Sequence, residues 1–276
     1  MGAMGAAGSG FFGKVSSHGD FVSRRLAPAF QDPWDRWLQA GMQASRQALG
    51  PRWLTTYLNS PIWRFVLAPG VCGEAGCAGL MMPSVDRVGR HFPLTLAAPA
   101  SAPLLALLRD HGHWYGCLEA LALSSLAADF SLDRFDAVLA ALAAPGGAPL
   151  ATAGSIGSIG SIGQIDPIGR IGRGQIGPID PISPIDPISP TDRIGTPPIM
   201  LDTGLPLDAQ LVAPSTELLS AFAGLALAGH SLWWTDGSAE VAPCVLAHRA
   251  LPAAGAFCAL LDGQWSAHGW DGTPRA

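Results

Sequence analysis

The feature that most constrains this fold is the segment 151–199, in which isoleucine recurs every third residue among Gly, Ser, Pro and Asp. A period of three matches neither the 3.6 residues of an α-helix turn nor the two-residue alternation of a strand. Its prolines remove backbone donors and its glycines raise the entropy lost on ordering. We therefore predict a disordered or polyproline-like tether. A stacked β-solenoid is the alternative, although the prolines would interrupt its ladders.

The remaining sequence suits one domain built from residues 10–150 and 200–265, with flexible termini at 1–9 and 266–276. An insert of this kind is thermodynamically tolerable, because closing a loop costs only about 0.6 kcal/mol more for each doubling of its length. The apolar residues, 49% of the chain, are numerous enough to bury a core.

The element pattern predicts both helices and strands on either side of the insert. A helix is predicted from the Asp32 cap, with Pro33 in its first turn, to Gly50. Further helices are predicted in "RWLTTYL", "APLLALLRDHG", "WYGCLEALALSSLA", "LDRFDAVLAALAA", 215–227 and "AAGAFCALLDG", and strands in "IWRFVLA", "AGLMM", "PLTLAAP", "SLWWT" and "CVLAH". Short turns between strands indicate an α/β fold in one domain interrupted by the disordered insert, with a central, largely antiparallel or mixed sheet flanked by helices in a three-layer sandwich.

Composition argues against nucleic-acid and membrane partners. The net charge is −5, the sequence pI is about 5.7, and the basic residues are scattered apart from Arg24 and Arg25. A long apolar run at 218–229 is well short of the roughly 20 residues that cross a bilayer. We expect a soluble protein with no nucleic-acid partner and no membrane insertion.

The five cysteines are odd in number and contain no C-x-x-C pair. Buried reduced thiols in a cytosolic protein are therefore the expectation, and no metal or cofactor is predicted. The alternative is that Cys72 and Cys77 join His91 as soft ligands, but the glycines and alanines in "CGEAGC" favour a turn.

Two polar clusters contain the residue types of an acyl-transfer site. The opening block "GFFGKVSSHGDFVSRRL", residues 10–26, holds Ser17, His18 and Asp20, and "PSVDRVGRHFP" holds Ser84, Asp86 and His91. Neither matches a G-x-S-x-G nucleophile elbow. In the simpler interpretation, Ser84 and Asp86 order their own turn, with Asp86 paired to Arg87 or Arg90. No catalytic residue is predicted, and a hydrolase using Ser84 or Ser17 is the alternative function.

The tryptophans stand mostly where a core requires large rings. Trp37, Trp53, Trp63 and Trp233 are predicted to be structural. Trp234 follows Trp233 in a predicted strand, so it faces the opposite side of the sheet. If exposed near Arg24 or Arg25, it would suit a protein-binding anchor, whereas helices on both sheet faces would cover it.

Three blocks together resemble the TagF family, also called ImpM, of type VI secretion accessory proteins. They are "GFFGKVSSHGDFVSRRL" with the following "WDRWLQAGMQASRQALGPRWLTTYLNSPIWRFVL", then "MPSVDRVGRHFPLTL", and "SLWWTDG". The similarity spans about residues 10–147 and 204–265, and the repeat at 151–199 is a departure from the family pattern.

The resemblance implies a cytoplasmic, non-enzymatic, post-translational repressor of type VI secretion, associated with the forkhead-associated scaffold protein Fha. A structural component of the secretion apparatus is another alternative. The opening block is then expected to form a partner-binding surface rather than an active site. The candidate partner-binding residues are Lys14, Arg24, Arg25, Asp86, Arg87 and Trp234.

Overall fold

The structure is a computed structural model that describes residues 8–145, 199–201 and 227–270. These residues belong to one compact unit formed by Met1–Ala148 and Pro197–Ala276. A second unit, Pro149–Thr196, lies outside the described residues. The predicted tether up to residue 198 and the predicted helix at 215–226 also lie outside them.

A single sheet organises the described residues. Its strands are β1 (Gly10–Gly13), β2 (Val22–Arg24), β3 (Trp63–Leu67), β4 (Cys77–Met82), β5 (Leu94–Pro99), β6 (Ile199–Leu201), β7 (His230–Thr235) and β8 (Cys244–Arg249). They are ordered β2-β1-β5-β4-β3-β7-β8-β6. Every neighbouring pair is antiparallel except β6 and β8, which run parallel. The predicted largely antiparallel or mixed sheet is confirmed.

Helices cover both faces of this sheet. They are α1 (Pro28–Leu49), α2 (Trp53–Leu58), α3 (Leu104–Asp110), α4 (Gly112–Ser124), α5 (Leu132–Ala141) and α6 (Ala259–Asp262), with 3₁₀ turns at Gly50–Arg52, Ala256–Cys258 and Ser266–His268. One apolar core lies under α1, α2 and α6, and the other lies under α4 and α5. The predicted three-layer arrangement is confirmed.

Successive side chains of the central strands point to opposite faces of the sheet and so contribute to both apolar cores. In β3, Phe65 and Leu67 enter the α1 core while Val66 enters the α4 core, as expected when successive side chains point to opposite faces. In β7, Trp233 lies in the α1 core and Trp234 packs against the other. Both sheet faces are therefore apolar and need a helical cover.

Buried tryptophans dominate the α1 core. The ring centroid of Trp34 lies 4.5 Å from that of Phe65 and 5.8 Å from that of Trp233. The Trp34 indole donates to Thr95 Oγ1 at 3.0 Å, and the Trp63 indole donates to the Leu260 carbonyl at 2.8 Å. Paired indole N–H groups remove the penalty of burying a polar atom with each large ring. The predicted structural tryptophans are all buried: Trp37, Trp53, Trp63 and Trp233.

Several local predictions need correction. Helix α1 begins at Pro28 instead of near Asp32, because Pro28 itself fits the first helical position, where no N–H is needed. The predicted end at Gly50, which has a φ of 51°, is confirmed. Strands β1 and β2 were not predicted, since neither is longer than four residues. Ile199 begins β6, although the sequence assigned it to the tether.

The domain also extends beyond its predicted ends. Ser9, assigned to a flexible terminus, is fully buried and donates to the Leu142 carbonyl at 3.2 Å. Trp270, assigned to the other flexible terminus, is buried and donates from its indole to the Ala256 carbonyl at 2.9 Å. These contacts anchor both segments to the core. Residues 1–7 and 271–276 lie outside the described part of the chain.

Gly13 provides a test of how β1 is positioned. Its φ is 142°, and a Cβ at this site would lie 2.1 Å from the Pro93 carbonyl oxygen. We predict that Gly13→Ala lowers the free energy of unfolding by about 2 kcal/mol or more, because the obstacle is backbone that cannot yield. Urea unfolding at neutral pH measures the change.

Gly116→Ala is the matched control, since a Cβ at Gly116 in α4 would meet no atom within 4 Å. It should raise the free energy of unfolding by up to about 1 kcal/mol, because alanine favours the helix. A Gly13→Ala protein as stable as the parent would show that β1 does not need this close approach.

Candidate protein-interaction surface

A buried ion pair underlies the opening block. The Lys14 ammonium at the end of β1 lies 2.7 Å from Asp86 Oδ2 in the connection between β4 and β5, and both side chains are almost fully buried. Separated by 72 positions in sequence, they bring two loops together. The sequence predicted both as partner-binding residues, but their side chains are buried inside the fold, where they support a surface without being exposed on it.

The Asp86 carboxylate organises its own loop. Oδ1 accepts from the backbone N–H of Val88 at 3.0 Å and from that of Arg90 at 2.8 Å. Oδ2 accepts from Lys14 and from the Arg90 guanidinium Nε at 2.7 Å. Burial raises the pKa of the Asp86 carboxyl, but the hydrogen bonds from Lys14, Arg90 and Val88 together lower it by more. The resulting pKa lies well below the ordinary value. The predicted pairing of Asp86 with Arg90 is confirmed.

Further hydrogen bonds join the two loops directly. The Arg87 N–H donates to the His18 carbonyl at 2.9 Å, and the Ser84 hydroxyl donates to the Lys14 carbonyl at 2.8 Å. The Arg90 guanidinium also donates to the Gly19 carbonyl. We call residues 16–21 and 85–90 the two-loop surface. Its backbone is held by the ion pair beneath it and by these cross-links.

Exposed apolar and cationic side chains share the two-loop surface. Val88 is 64% exposed and Phe21 is 44% exposed. Arg87 and Arg90 are exposed beside them. Phe21 stacks on Phe12 at a centroid distance of 5.6 Å, and the Lys14 ammonium lies 4.3 Å from its ring centroid. An exposed aromatic ring packed on buried rings, on a surface that also carries exposed arginines, is typical of a protein-binding anchor.

The two arginines of the opening block differ in how far they are engaged within the fold. Arg25 has a φ of 59° and donates to Asp136 Oδ1 at 2.6 Å and to the Ser9 carbonyl at 2.8 Å. It therefore ties β2 to α5 and to the chain start. Arg24 is half exposed, and its Nε lies 3.9 Å from the second Asp136 oxygen. Arg24 is thus accessible, whereas Arg25 is engaged.

Trp234 is covered by α4. Its ring lies edge-on to that of Tyr115, with centroids 4.7 Å apart, and it packs against the α4 core. The sequence correctly placed it on the face opposite Trp233. Its partial burial follows from helices covering both sheet faces, which was the alternative to an exposed anchor.

The first acyl-transfer cluster forms only one of the contacts that a triad requires. The Ser17 hydroxyl lies 2.8 Å from His18 Nδ1. Asp20 instead accepts from the Phe21 N–H at 2.9 Å, which orders the local turn. A triad needs a third group that orients the base, and Asp20 is bonded elsewhere.

The second cluster is distributed among structural contacts. The Ser84 hydroxyl is bonded to the Lys14 carbonyl, and its N–H is bonded to the Tyr57 hydroxyl at 2.9 Å. The His91 ring packs edge-on to Trp53 and Tyr57, with centroids 5.7 Å away in each case. Burial lowers the pKa of His91, with Arg46 adding to the shift and Asp86 opposing it.

The sequence analysis did not identify two residues: Val88, which is exposed on the two-loop surface, and Asp136, which contacts Arg24 and Arg25. Val88 is the one apolar residue between Asp86 and Arg90, and this position within a polar turn was an available signal. Asp136 lies 111 residues after Arg25, so no local pattern could connect them.

Comparison with known proteins identifies the class. The model of the TagF N-terminal domain, described as type VI secretion system-associated, matches residues 10–142. The crystal structure of PA0076 from Pseudomonas aeruginosa PAO1 is similar, with 34% identity, a TM-score of 0.65, and coverage of 93% of this chain and 94% of that chain. No curated protein matches the chain.

The two-loop surface lies inside the matched region, so the family model includes both of its loops. This is a type VI secretion-associated protein. More specifically, the chain belongs to the TagF family, which confirms the resemblance seen in its sequence. Within the part of the chain that the structure describes, no helix is both long and apolar enough to span a bilayer.

The ion pair predicts a particular dependence of stability on pH. Because folding lowers the pKa of Asp86, its charge stabilises the protein above the ordinary aspartate pKa of about 4, and this contribution is lost as the pH falls through the lower folded value. Asp86→Asn should reduce stability at neutral pH and make the acid loss shallower. Urea midpoints measured from neutral pH into the acid range test this.

The exposed Asp129 offers a control, as Asp129→Asn removes one carboxylate without touching the ion pair. Its urea midpoints should follow those of the parent protein at every pH. An Asp86→Asn protein that loses stability in acid as steeply as the parent would contradict the role given to Asp86.

Proposed function

We propose that this chain is a non-enzymatic, post-translational repressor of type VI secretion that acts in the cytoplasm by binding the forkhead-associated scaffold protein Fha. The observation that carries the proposal is the two-loop surface, where Phe21 and Val88 are exposed beside Arg87 and Arg90. Membership of the TagF family supplies the secretion context.

The charge of the surface indicates the chemistry of the partner. The chain as a whole carries a net charge of −5, yet on the two-loop surface the exposed guanidinium groups of Arg87 and Arg90 outnumber the exposed carboxylate of Asp20. Opposite charges across an interface speed encounter and fix its register, while the apolar centre supplies most of the affinity. The matching face of Fha would therefore present carboxylates around an apolar pocket.

The rigidity of the surface also supports binding. Both loops are fixed by the buried ion pair, by the hydrogen bond from the Arg87 N–H to the His18 carbonyl, and by that from the Arg90 guanidinium to the Gly19 carbonyl. A preorganised surface loses little conformational entropy on association, which leaves more of the contact energy for affinity. The non-enzymatic part of the proposal is supported by the engagement of Ser84 and Asp20 in structural hydrogen bonds.

The most direct test is a variant that changes the surface while leaving its support intact. Arg87→Glu/Val88→Asp replaces two exposed side chains, and should weaken binding to the Fha protein encoded with this chain by at least about tenfold. Arg25 is a poor choice because it ties β2 to α5. Affinity would be measured by titration of purified full-length proteins, with circular dichroism to verify folding.

The matched control makes the same chemical changes elsewhere. Arg36→Glu/Leu54→Asp alters an exposed arginine on α1 and an apolar residue, 44% exposed, on α2. It should bind Fha as the parent does. Equal loss in both variants would contradict binding through the two-loop surface, and no binding by the parent would contradict Fha as the partner. Stable copurification with sheath or baseplate proteins instead would favour a structural component.

A further inference from the structure

A second cluster of polar side chains lies in the C-terminal part of the domain, in the segment that contains α6 and the last 3₁₀ turn. Cys258, Asp262 and His268 each offer one ligand atom, and these atoms all lie within 4.8 Å of one another. The thiol is fully buried, the carboxylate is nearly so, and the imidazole is partly exposed. Among the described residues, these three form the group of His, Cys, Asp or Glu side chains whose ligand atoms lie close enough together to hold a metal ion.

The backbone explains the convergence. Cys258 is the last residue of the 3₁₀ turn that continues into α6, and Asp262 is the last residue of α6. Because they are four residues apart in continuous helical backbone, they share a face. The helix ends at Gly263 in the left-handed conformation, with a φ of 69°, and the chain returns through a 3₁₀ turn that carries His268. The His268 Nε2 then lies 2.9 Å from Asp262 Oδ2.

The carboxylate is oriented by a second contact. Asp262 Oδ1 accepts from the Gln264 N–H at 2.9 Å, which leaves Oδ2 directed toward the imidazole. Outer hydrogen bonds of this kind orient the ligands of metal sites. The surrounding segment is fixed as well, since Trp265 packs edge-on against Trp63 and Trp270.

We propose that Cys258, Asp262 and His268 bind a divalent transition-metal ion, with Zn²⁺ as the best match. Sulfur, nitrogen and oxygen donors together suit Zn²⁺, and ligand atoms around a tetrahedral zinc lie about 3.3–3.8 Å apart. Here the ligand atoms lie within 4.8 Å of one another and His268 Nε2 lies 2.9 Å from Asp262 Oδ2, so metal binding requires side-chain shifts that open this hydrogen bond. Three protein ligands leave a fourth position for water on the partly exposed side of His268. The expectation of no metal, drawn from the absence of a C-x-x-C pair, is replaced by this proposal.

Coordination changes the protonation of the cysteine. Burial raises the pKa of the Cys258 thiol to about 12, with Asp262 raising it further and Arg52 opposing the shift. The metal-free protein therefore holds a neutral thiol. The ion binds the thiolate sulfur and the thiol proton passes to solvent. The proton between His268 Nε2 and Asp262 Oδ2 also leaves, and the neutral imidazole keeps its remaining proton on Nδ1, so that Nε2 and the carboxylate supply electron pairs without a change of oxidation state.

Co²⁺ is a suitable spectroscopic probe, because thiolate ligation gives a charge-transfer absorption band and tetrahedral geometry gives intense visible bands. Purified, metal-stripped full-length protein should bind one Co²⁺ with both features, and Zn²⁺ should displace it. His268→Gln changes a partly exposed side chain and should weaken binding at least about tenfold while the protein stays folded. Cys258→Ser should abolish the charge-transfer band.

Cys117→Ser is the decisive control, since Cys117 Sγ lies 3.6 Å from His113 Nε2 in the exposed part of α4 and could bind the probe there. Cys244→Ser controls for a buried thiol away from the cluster. Both variants should keep the parent spectrum. A band lost in Cys117→Ser and kept in Cys258→Ser would overturn the proposal, as would the absence of any charge-transfer band in the parent protein.

Discussion

The buried contact between Lys14 and Asp86 is the interaction on which the two-loop surface depends. Two charges removed from water stabilise a fold only when their remaining hydrogen-bonding capacity is satisfied. Here the carboxylate accepts four hydrogen bonds, from Lys14, the Val88 N–H and two groups of Arg90. One aspartate thus fixes the end of β1, its own loop and, through Arg90, the loop that carries Phe21.

The sheet makes that contact possible. Strand β1 pairs with β5, so Lys14 leaves β1 close to the connection that precedes β5. Gly13 permits the backbones to approach at this point. Helices on both faces cover the apolar cores, and the loops at the β1 end expose Phe21 and Val88 on an ordered base. The contact between Lys14 and Asp86 therefore connects the packed sheet to the two-loop surface.

The sequence predicted the fold more fully than the site. Helix α1 and the apolar strands could be predicted because the order of apolar and polar residues within each segment indicates its secondary structure. Strands β1 and β2 are too short to show a period, and their pairing depends on distant partners. Among the predicted partner-binding residues, charge suggested exposure, but Lys14 and Asp86 neutralise each other in the interior. Conversely, the cluster of Cys258, Asp262 and His268 becomes visible only when the fold brings the three side chains together.

Hydrogen exchange of the full chain, with and without saturating Fha, tests the central claim most directly, because it maps contact without altering the surface. The account predicts that binding slows exchange of backbone amides in residues 16–21 and 85–90, with little change in helices α2 and α4. Protection confined to other elements, with the two-loop surface exchanging as in the free protein, would contradict the account.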